Sequence, residues 1–161
     1  VFYLDLFAAL DRHHVDYVLI GGLAVSLHGV ERATMDIDIT VAMTPDNLDA
    51  LTGMAQELGM RPVLPVPLAS LTDLVQLERW HRERQLEAFA LSTSELRGVT
   101  LDILLYPPVD FQDMLSRAVR YEIRGTPVVV VAIDDLIALK EAVGRPIDLT
   151  DIAHLKRLRE A

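Results

Sequence analysis

Tyr17-Val18-Leu19-Ile20-Gly21-Gly22, followed by Asp36-Ile37-Asp38-Ile39-Thr40-Val41, decides how the chain is read. Tyr17 to Ile20 is a short apolar run that Gly21-Gly22 stops, as expected of a buried strand ending in a tight turn. Leu23 to His28 then suits a short helix, with Gly29 as its stop. Asp36 to Val41 alternates in polarity, the pattern of a half-buried strand. Residues i and i+2 of a strand share a face with Cα atoms roughly 6.5 Å apart, so Asp36 and Asp38 present two carboxylates together. Ile37, Ile39 and Val41 point the other way, into a core. Two close carboxylates repel unless a cation is shared between them. The metals of two-metal sites lie about 3.5–4 Å apart, a spacing this pair brackets.

Working outward, Gly21-Gly22 lets the backbone approach a ligand closely, and the free amides of the following helix favour phosphate. Ser26, one turn in, adds a hydroxyl. The competing reading is a plain strand-to-helix turn. Asp102 lies between Leu101 and Ile103 in Thr100-Leu101-Asp102-Ile103-Leu104-Leu105. A lone aspartate in such a strand is costly without a partner. A metal shared with Asp36 and Asp38 supplies one if the two strands are neighbours; otherwise the three aspartates are a polar face in water.

The remaining pattern is mixed. Helices are expected over Phe2–Arg12, Pro45–Leu58 (Thr44 as cap, Gly59 after its end), Leu71–Arg84, Phe111–Ala118, Asp134–Val143 and Leu149–Arg159. Strands are expected over Glu87–Leu91, Val99–Leu105, Arg120–Arg124 and Val128–Val131, the last two turned by Gly125. Arg61–Leu68 carries three prolines and reads as irregular. Without a regular strand–helix–strand repeat, the class is α+β, or mixed α/β, in one domain over residues 1–161.

With 161 residues, half of them apolar, the chain can build a sizeable core. The net charge of −9 argues against a general nucleic-acid binder. There is no cysteine, which removes disulfides and thiolate metal sites and suits a cytoplasmic location. No apolar run approaches the roughly 20 residues of a membrane helix.

Val18-Leu19-Ile20-Gly21-Gly22, Asp36-Ile37-Asp38 and Leu101-Asp102-Ile103-Leu104 together resemble the polymerase-beta-type nucleotidyltransferase superfamily. Gly22-Leu23-Ala24-Val25 through His28-Gly29, and Arg32-Ala33-Thr34-Met35-Asp36, look like its AbiE-type toxin branch. So does the tail from Leu139-Lys140-Glu141 to Gly144-Arg145-Pro146-Ile147-Asp148-Leu149-Thr150-Asp151-Ile152. Leu23 and Ile147 depart from the usual pattern, and residues 60–98 match nothing in it. The resemblance implies a mixed sheet flanked by helices, with helices at the C-terminus. It also implies transfer of a nucleoside monophosphate from a nucleoside triphosphate to an acceptor hydroxyl. Asp36, Asp38 and Asp102 would hold Mg²⁺, Asp102 would also take the attacking proton, and Lys140 would reach the phosphates. Arg32 and Thr34, with Gly21, Gly22, Ser26 and Arg145, would meet the nucleotide or brace the aspartates. The implied acceptor is tRNA and the implied partner an antitoxin protein, with no membrane. A protein or small-molecule acceptor, or a silent nucleotide-binding module, fits the same residues.

Three readings stay open. Lys140 is equally a solvated helix residue. Asp148 is favoured as a helix cap, with Asp151 favourable to the helix dipole. Arg79-Trp80-His81-Arg82-Glu83-Arg84 is a solvated helix face with one buried Trp, ahead of an RNA contact. His13, His14 and His28 lack metal-ligand spacing and receive no catalytic role.

Overall fold

The computed structural model describes residues 2–34, 36–94 and 99–161; Met35, quoted in the motif above, lies outside them. Among the described residues, seven strands form one mixed sheet: β1 Tyr17–Ile20, β2 Ile37–Val41, β3 Arg61–Pro62, β4 Ala88–Ser92, β5 Leu101–Leu104, β6 Val119–Ile123 and β7 Thr126–Val130. Their order is β3-β4-β5-β2-β1-β7-β6. β2 runs parallel to β5 and β1 parallel to β7, while the remaining neighbours are antiparallel. The helices are α1 Phe2–Arg12, α2 Gly21–Leu27, α3 Pro45–Glu57, α4 Leu74–Arg84, α5 Phe111–Arg117, α6 Ile133–Val143 and α7 Pro146–Glu160. The expected mixed sheet with closing C-terminal helices is the architecture found.

Central strands β1, β2 and β5 are apolar because they are covered. Val18, Leu19, Ile39, Leu101 and Ile103 are fully buried, with Phe7, Leu10, Leu51 and Phe89 among the largest side chains packed in the same core. Fully burying a side chain of this size stabilises by about 1.5–3 kcal/mol. Buried Asn47 fixes the ends of β1 and β2 together. Its amide donates to the Asp16 and Ala42 carbonyls, and its carbonyl accepts from Asp16 N at 2.7 Å. The Tyr17 hydroxyl accepts from Val129 N at 3.1 Å, and burial pushes that phenol up to about 12.

Local signals were mostly obeyed. Thr44 caps α3 by accepting from Asn47 N, with Pro45 at the first position. The β6–β7 hairpin turns through Arg124 (φ 51°) and Gly125 (φ 78°), the two positive φ values that suit strand twist. Some boundaries moved, and Arg61–Leu68, expected to be irregular, supplies Arg61–Pro62 as β3 because its backbone pairs with Ser92 and Leu91 of β4. α2 starts at Gly21 itself rather than at Leu23, so the elbow is the first turn of the helix. The expected helix from Leu71 is broken at Asp73, whose carboxylate accepts from Gln76 N and restarts the chain as α4 after a short 3₁₀ turn over Leu68–Thr72. α7 begins at Pro146, three residues early, because proline is well suited to a first helical position. No helix among the described residues is long and apolar enough to cross a membrane.

Candidate active site

Strand register builds the site. On the parallel pair β2–β5, Asp38 stands opposite Asp102, and on β1–β2 it stands opposite Ile20. The condition placed on Asp102 by the sequence is therefore met: its strand is the neighbour of the one carrying Asp38. Asp36 lies one residue before β2 and is exposed, while Asp38 and Asp102 are partly buried.

Gly21, next after Ile20, lies against Asp38. It has φ +72°, and a Cβ there would fall 2.2 Å from Asp38 Oδ2. The elbow is thus a glycine for two reasons, backbone conformation and room for the carboxylate. Gly22 makes room for something else. A Cβ there would lie 2.0 Å from Arg32 Nη1 and 2.9 Å from Thr34 Oγ1. Arg32 passes over the first turn of α2 toward Asp151 on α7, with Nε 3.3 Å from Asp151 Oδ1.

Thr100 ties the carboxylates of two strands. Its hydroxyl is 2.8 Å from Asp102 Oδ1 and 3.4 Å from Asp36 Oδ1, and its carbonyl accepts from Ile37 N at 3.0 Å. Asp38 has no hydrogen-bond or ion-pair partner among the described residues. Burial, reinforced by Asp102 and Asp36, pushes its carboxyl up to about 6, against the opposing pull of Lys140 and Arg145.

A cavity of about 560 Å³ opens over these groups. Asp38 and Asp102 form its floor beside Gly21. Lys140 and Arg145 line it from α6 and the α7 start, and Glu87 and Tyr106 from the β4–β5 side. Lys140, only 5% exposed, is held by Asp148 Oδ1 at 3.4 Å and Asp151 Oδ2 at 3.0 Å. Arg145 pairs with Asp148 at 2.8 Å, and this contact holds the Asp148 carboxyl below its usual range.

Several sequence expectations need correction. Asp148 is not the N-cap of its helix. It occupies the third helical position and accepts from the backbone N of Arg145, which is the N-cap residue. Both Asp148 and Asp151 are buried partners of Lys140, so their main interactions are ionic. Ser26 is turned away from phosphate duty: its hydroxyl lies 3.2 Å from the Gly22 carbonyl and 3.1 Å from the Arg32 carbonyl, the two acceptors competing for its one proton. The Thr34 hydroxyl donates to the Asp36 carbonyl, which makes it a brace of the metal-strand entry. Lys140 is not solvated. His28 is structural, with Nε2 2.6 Å from the Val131 carbonyl and Nδ1 3.2 Å from the Tyr121 hydroxyl.

Thr100, Glu87 and Tyr106 were not singled out. Thr100 was detectable in principle, since a residue two before an aspartate on a strand shares its face. Tyr106 stacks on His81 of α4 at 4.1 Å, a contact no local pattern announces.

The donor set suits Mg²⁺, a hard cation that prefers carboxylate oxygen. Asp38, pressed against Gly21, in register with Asp102 and without a partner among the described residues, is the group such an ion would relieve. Among the described residues, no three acidic or histidine side chains converge into a ready-made ion cage. The three-carboxylate set expected from the sequence is thus not assembled as a cage among the described residues, and Asp38 and Asp102 are the pair in register.

No family model matches the chain, and no curated protein matches its sequence. Solved structures do match in shape, and the chain has the nucleotidyltransferase fold. The lincosamide antibiotic adenylyltransferase LnuA, in its lincomycin-bound crystal structure, superposes with a TM-score of 0.60 at 17% identity, over 98% of this chain and 94% of that one. The antibiotic-resistance factor ANT(2'')-Ia gives 0.59 at 19% identity, over 97% and 80%. A nucleotidyltransferase-like antigenic protein of Paracoccidioides brasiliensis gives 0.56 at 18% identity, over 96% and 73%.

Proposed function

We propose that the chain is a single-domain, Mg²⁺-dependent nucleotidyltransferase that moves a nucleoside monophosphate from a nucleoside triphosphate to an acceptor hydroxyl. One observation carries this: Asp38, without a partner among the described residues, stands in register with Asp102 beside the Gly21 elbow, in a cavity also lined by Lys140 and Arg145. Asp36, Asp38 and Asp102 are the residues that would hold the metal. When bound, it neutralises phosphate oxygens and offsets the charge that develops at the α-phosphorus. The acceptor oxygen bonds to that phosphorus, the bond to pyrophosphate breaks, and Asp102 takes the acceptor's proton. Gly21 and the first amides of α2 receive phosphate, and Arg145 adds a guanidinium at the cavity rim. Its side chain is 64% exposed, and to reach a ligand its guanidinium would exchange its contacts with Asp148.

For the acceptor we favour a small molecule. Two structural neighbours are named for antibiotic substrates or products, LnuA with lincomycin and ANT(2'')-Ia with adenylyl-2''-tobramycin. Besides the cations, the cavity is lined by Glu87, Tyr106 and apolar Ala88, Leu104 and Pro108, and an acidic and apolar lining suits a small molecule better than a phosphodiester backbone. The second reading is a cytoplasmic toxin that modifies tRNA and is restrained by an antitoxin. It rests on the Arg32–Asp36 and Lys140–Ile152 resemblance and on exposed Arg79, Arg82 and Arg84 along α4.

Incubation with each labelled triphosphate, Mg²⁺ and separate pools of tRNA, lysate protein and hydroxylated antibiotics separates the readings. Label in the small-molecule pool is expected. Label in tRNA moves the assignment to the toxin reading, and label in protein to a third acceptor class. No transfer to any pool, with triphosphate binding intact, leaves a silent nucleotide-binding module.

A further inference from the structure

The three aspartates are held very unequally. Asp38 has no donor among the described residues, whereas Asp36 and Asp102 are both tied to Thr100. The Thr100 hydroxyl has one proton and two acceptors, at 2.8 Å on Asp102 and 3.4 Å on Asp36. The shorter contact takes the proton. Asp36 keeps a weaker hold through Thr100 N, 3.5 Å from the same Oδ1. The Thr100 carbonyl accepts from Ile37 N, the residue between Asp36 and Asp38. One residue thereby meets both metal strands by backbone and two of the three carboxylates by hydroxyl or amide.

We propose that Thr100 is the positioning residue of this centre, orienting the Asp102 and Asp36 carboxylates so that they complete the coordination of a divalent cation that Asp38 receives. This deepens the transferase reading and rests on it. Two carboxylates side by side in an anionic pocket rotate apart unless a donor opposes the repulsion. A neutral hydroxyl does this without adding a cation that would compete with the metal. It fixes one oxygen of Asp102 and leaves the second, which has no partner among the described residues, for the cavity. A lysine or arginine in the same place would fill the position meant for the ion. Donors behind metal ligands commonly change metal affinity by about 10–100-fold when removed.

The test is Mn²⁺ binding, followed by electron paramagnetic resonance on the whole chain with and without a non-hydrolysable ATP analogue, for wild type, Thr100→Val and Thr100→Ser. Valine keeps the branched shape and removes the hydroxyl; serine keeps the hydroxyl and removes the methyl. Thermal melting of each variant confirms that the protein measured is folded. A loss of about 10-fold or more in Mn²⁺ affinity for Thr100→Val, with Thr100→Ser within about threefold of wild type, supports the assignment. Equal affinity in Thr100→Val and wild type overturns it while leaving the transferase reading standing. Equal loss in both variants also overturns it, since packing rather than the hydroxyl would then be responsible. Absence of Mn²⁺ binding by wild type, even with nucleotide, overturns both the assignment and the metal-dependent reading beneath it.

Discussion

Two clusters of charge face each other across one cavity, and they are built on opposite principles. On the α6–α7 side, Arg32, Asp151, Lys140, Asp148 and Arg145 form a chain of alternating sign, and each member has a partner within 3.4 Å. On the β2–β5 side, Asp36, Asp38 and Asp102 are three like charges with no cation in contact among the described residues. The first cluster is closed and structural: it fastens α7 to α6 and to the segment leading into β2. The second is open, and its repulsion is left for a ligand to resolve. Charge that is locally compensated marks a joint of the fold; charge that burial and neighbours penalise marks the place where a substrate or metal is expected.

Substitutions on either side of the cavity test the difference. The largest effect is expected from Lys140→Met, which leaves Asp148 and Asp151 buried without their shared ammonium. Removing one partner of a buried pair costs about 3–5 kcal/mol, read as a lower urea midpoint at neutral pH. An unchanged midpoint would show that Lys140 is not a structural member and is free for phosphate.

Asp38→Asn should act in the opposite sense on stability. The native carboxyl titrates at about 6 instead of 3.8, so the folded state holds its proton more tightly than the unfolded chain. Wild-type stability therefore falls as pH rises through that window, and the cost is fully present above it. The neutral amide should raise metal-free stability by on the order of 2–3 kcal/mol at pH 8, with the gain disappearing toward pH 4, while transfer is lost. Melting curves at the two pH values check both halves, and a destabilised variant at pH 8 would mean the triad is not frustrated.

Gly21→Ala comes next. Its side chain enters the space of Asp38 Oδ2 in a positive-φ conformation, for about 1–2 kcal/mol of strain and a displaced carboxylate. Wild-type turnover in this variant would remove the elbow from the site. The smallest effect belongs to Arg145→Ala. Its side chain is largely exposed, and Asp148 retains Lys140, so less than about 1 kcal/mol of stability is expected. The KM for the triphosphate should nonetheless rise several-fold, and an unchanged KM would return Arg145 to the structural cluster.

Much of the frame was readable in the chain itself. The apolar run before Gly21, the alternation from Asp36 to Val41 and the cap at Thr44 are local effects, set by steric limits and by which face of a strand meets water. The same period placed Asp36 and Asp38 on one face of a strand, whereas the strand begins at Ile37 and Asp36 lies one residue ahead of it. What periodicity could not supply was the company each charge keeps. Lys140, Asp148 and Asp151 read as a helix residue, a cap and a dipole partner, because along the sequence nothing joins α6 to α7 or Arg32 to either.

Most of the strands and helices, the acidic residues Asp38 and Asp102 in otherwise apolar strands with Asp36 just ahead of one, and the glycines after β1 follow from the chain alone. Only once the sheet has formed do β2 and β5 lie as parallel neighbours in the register that opposes Asp38 to Asp102, Thr100 link two of the three carboxylates, and Lys140 and Arg145 of the cavity wall find their aspartate partners. The reason is range. Backbone sterics and hydrophobic alternation act between residues close in the chain, whereas burial and Coulomb interaction depend on distances that exist only once the sheet has formed.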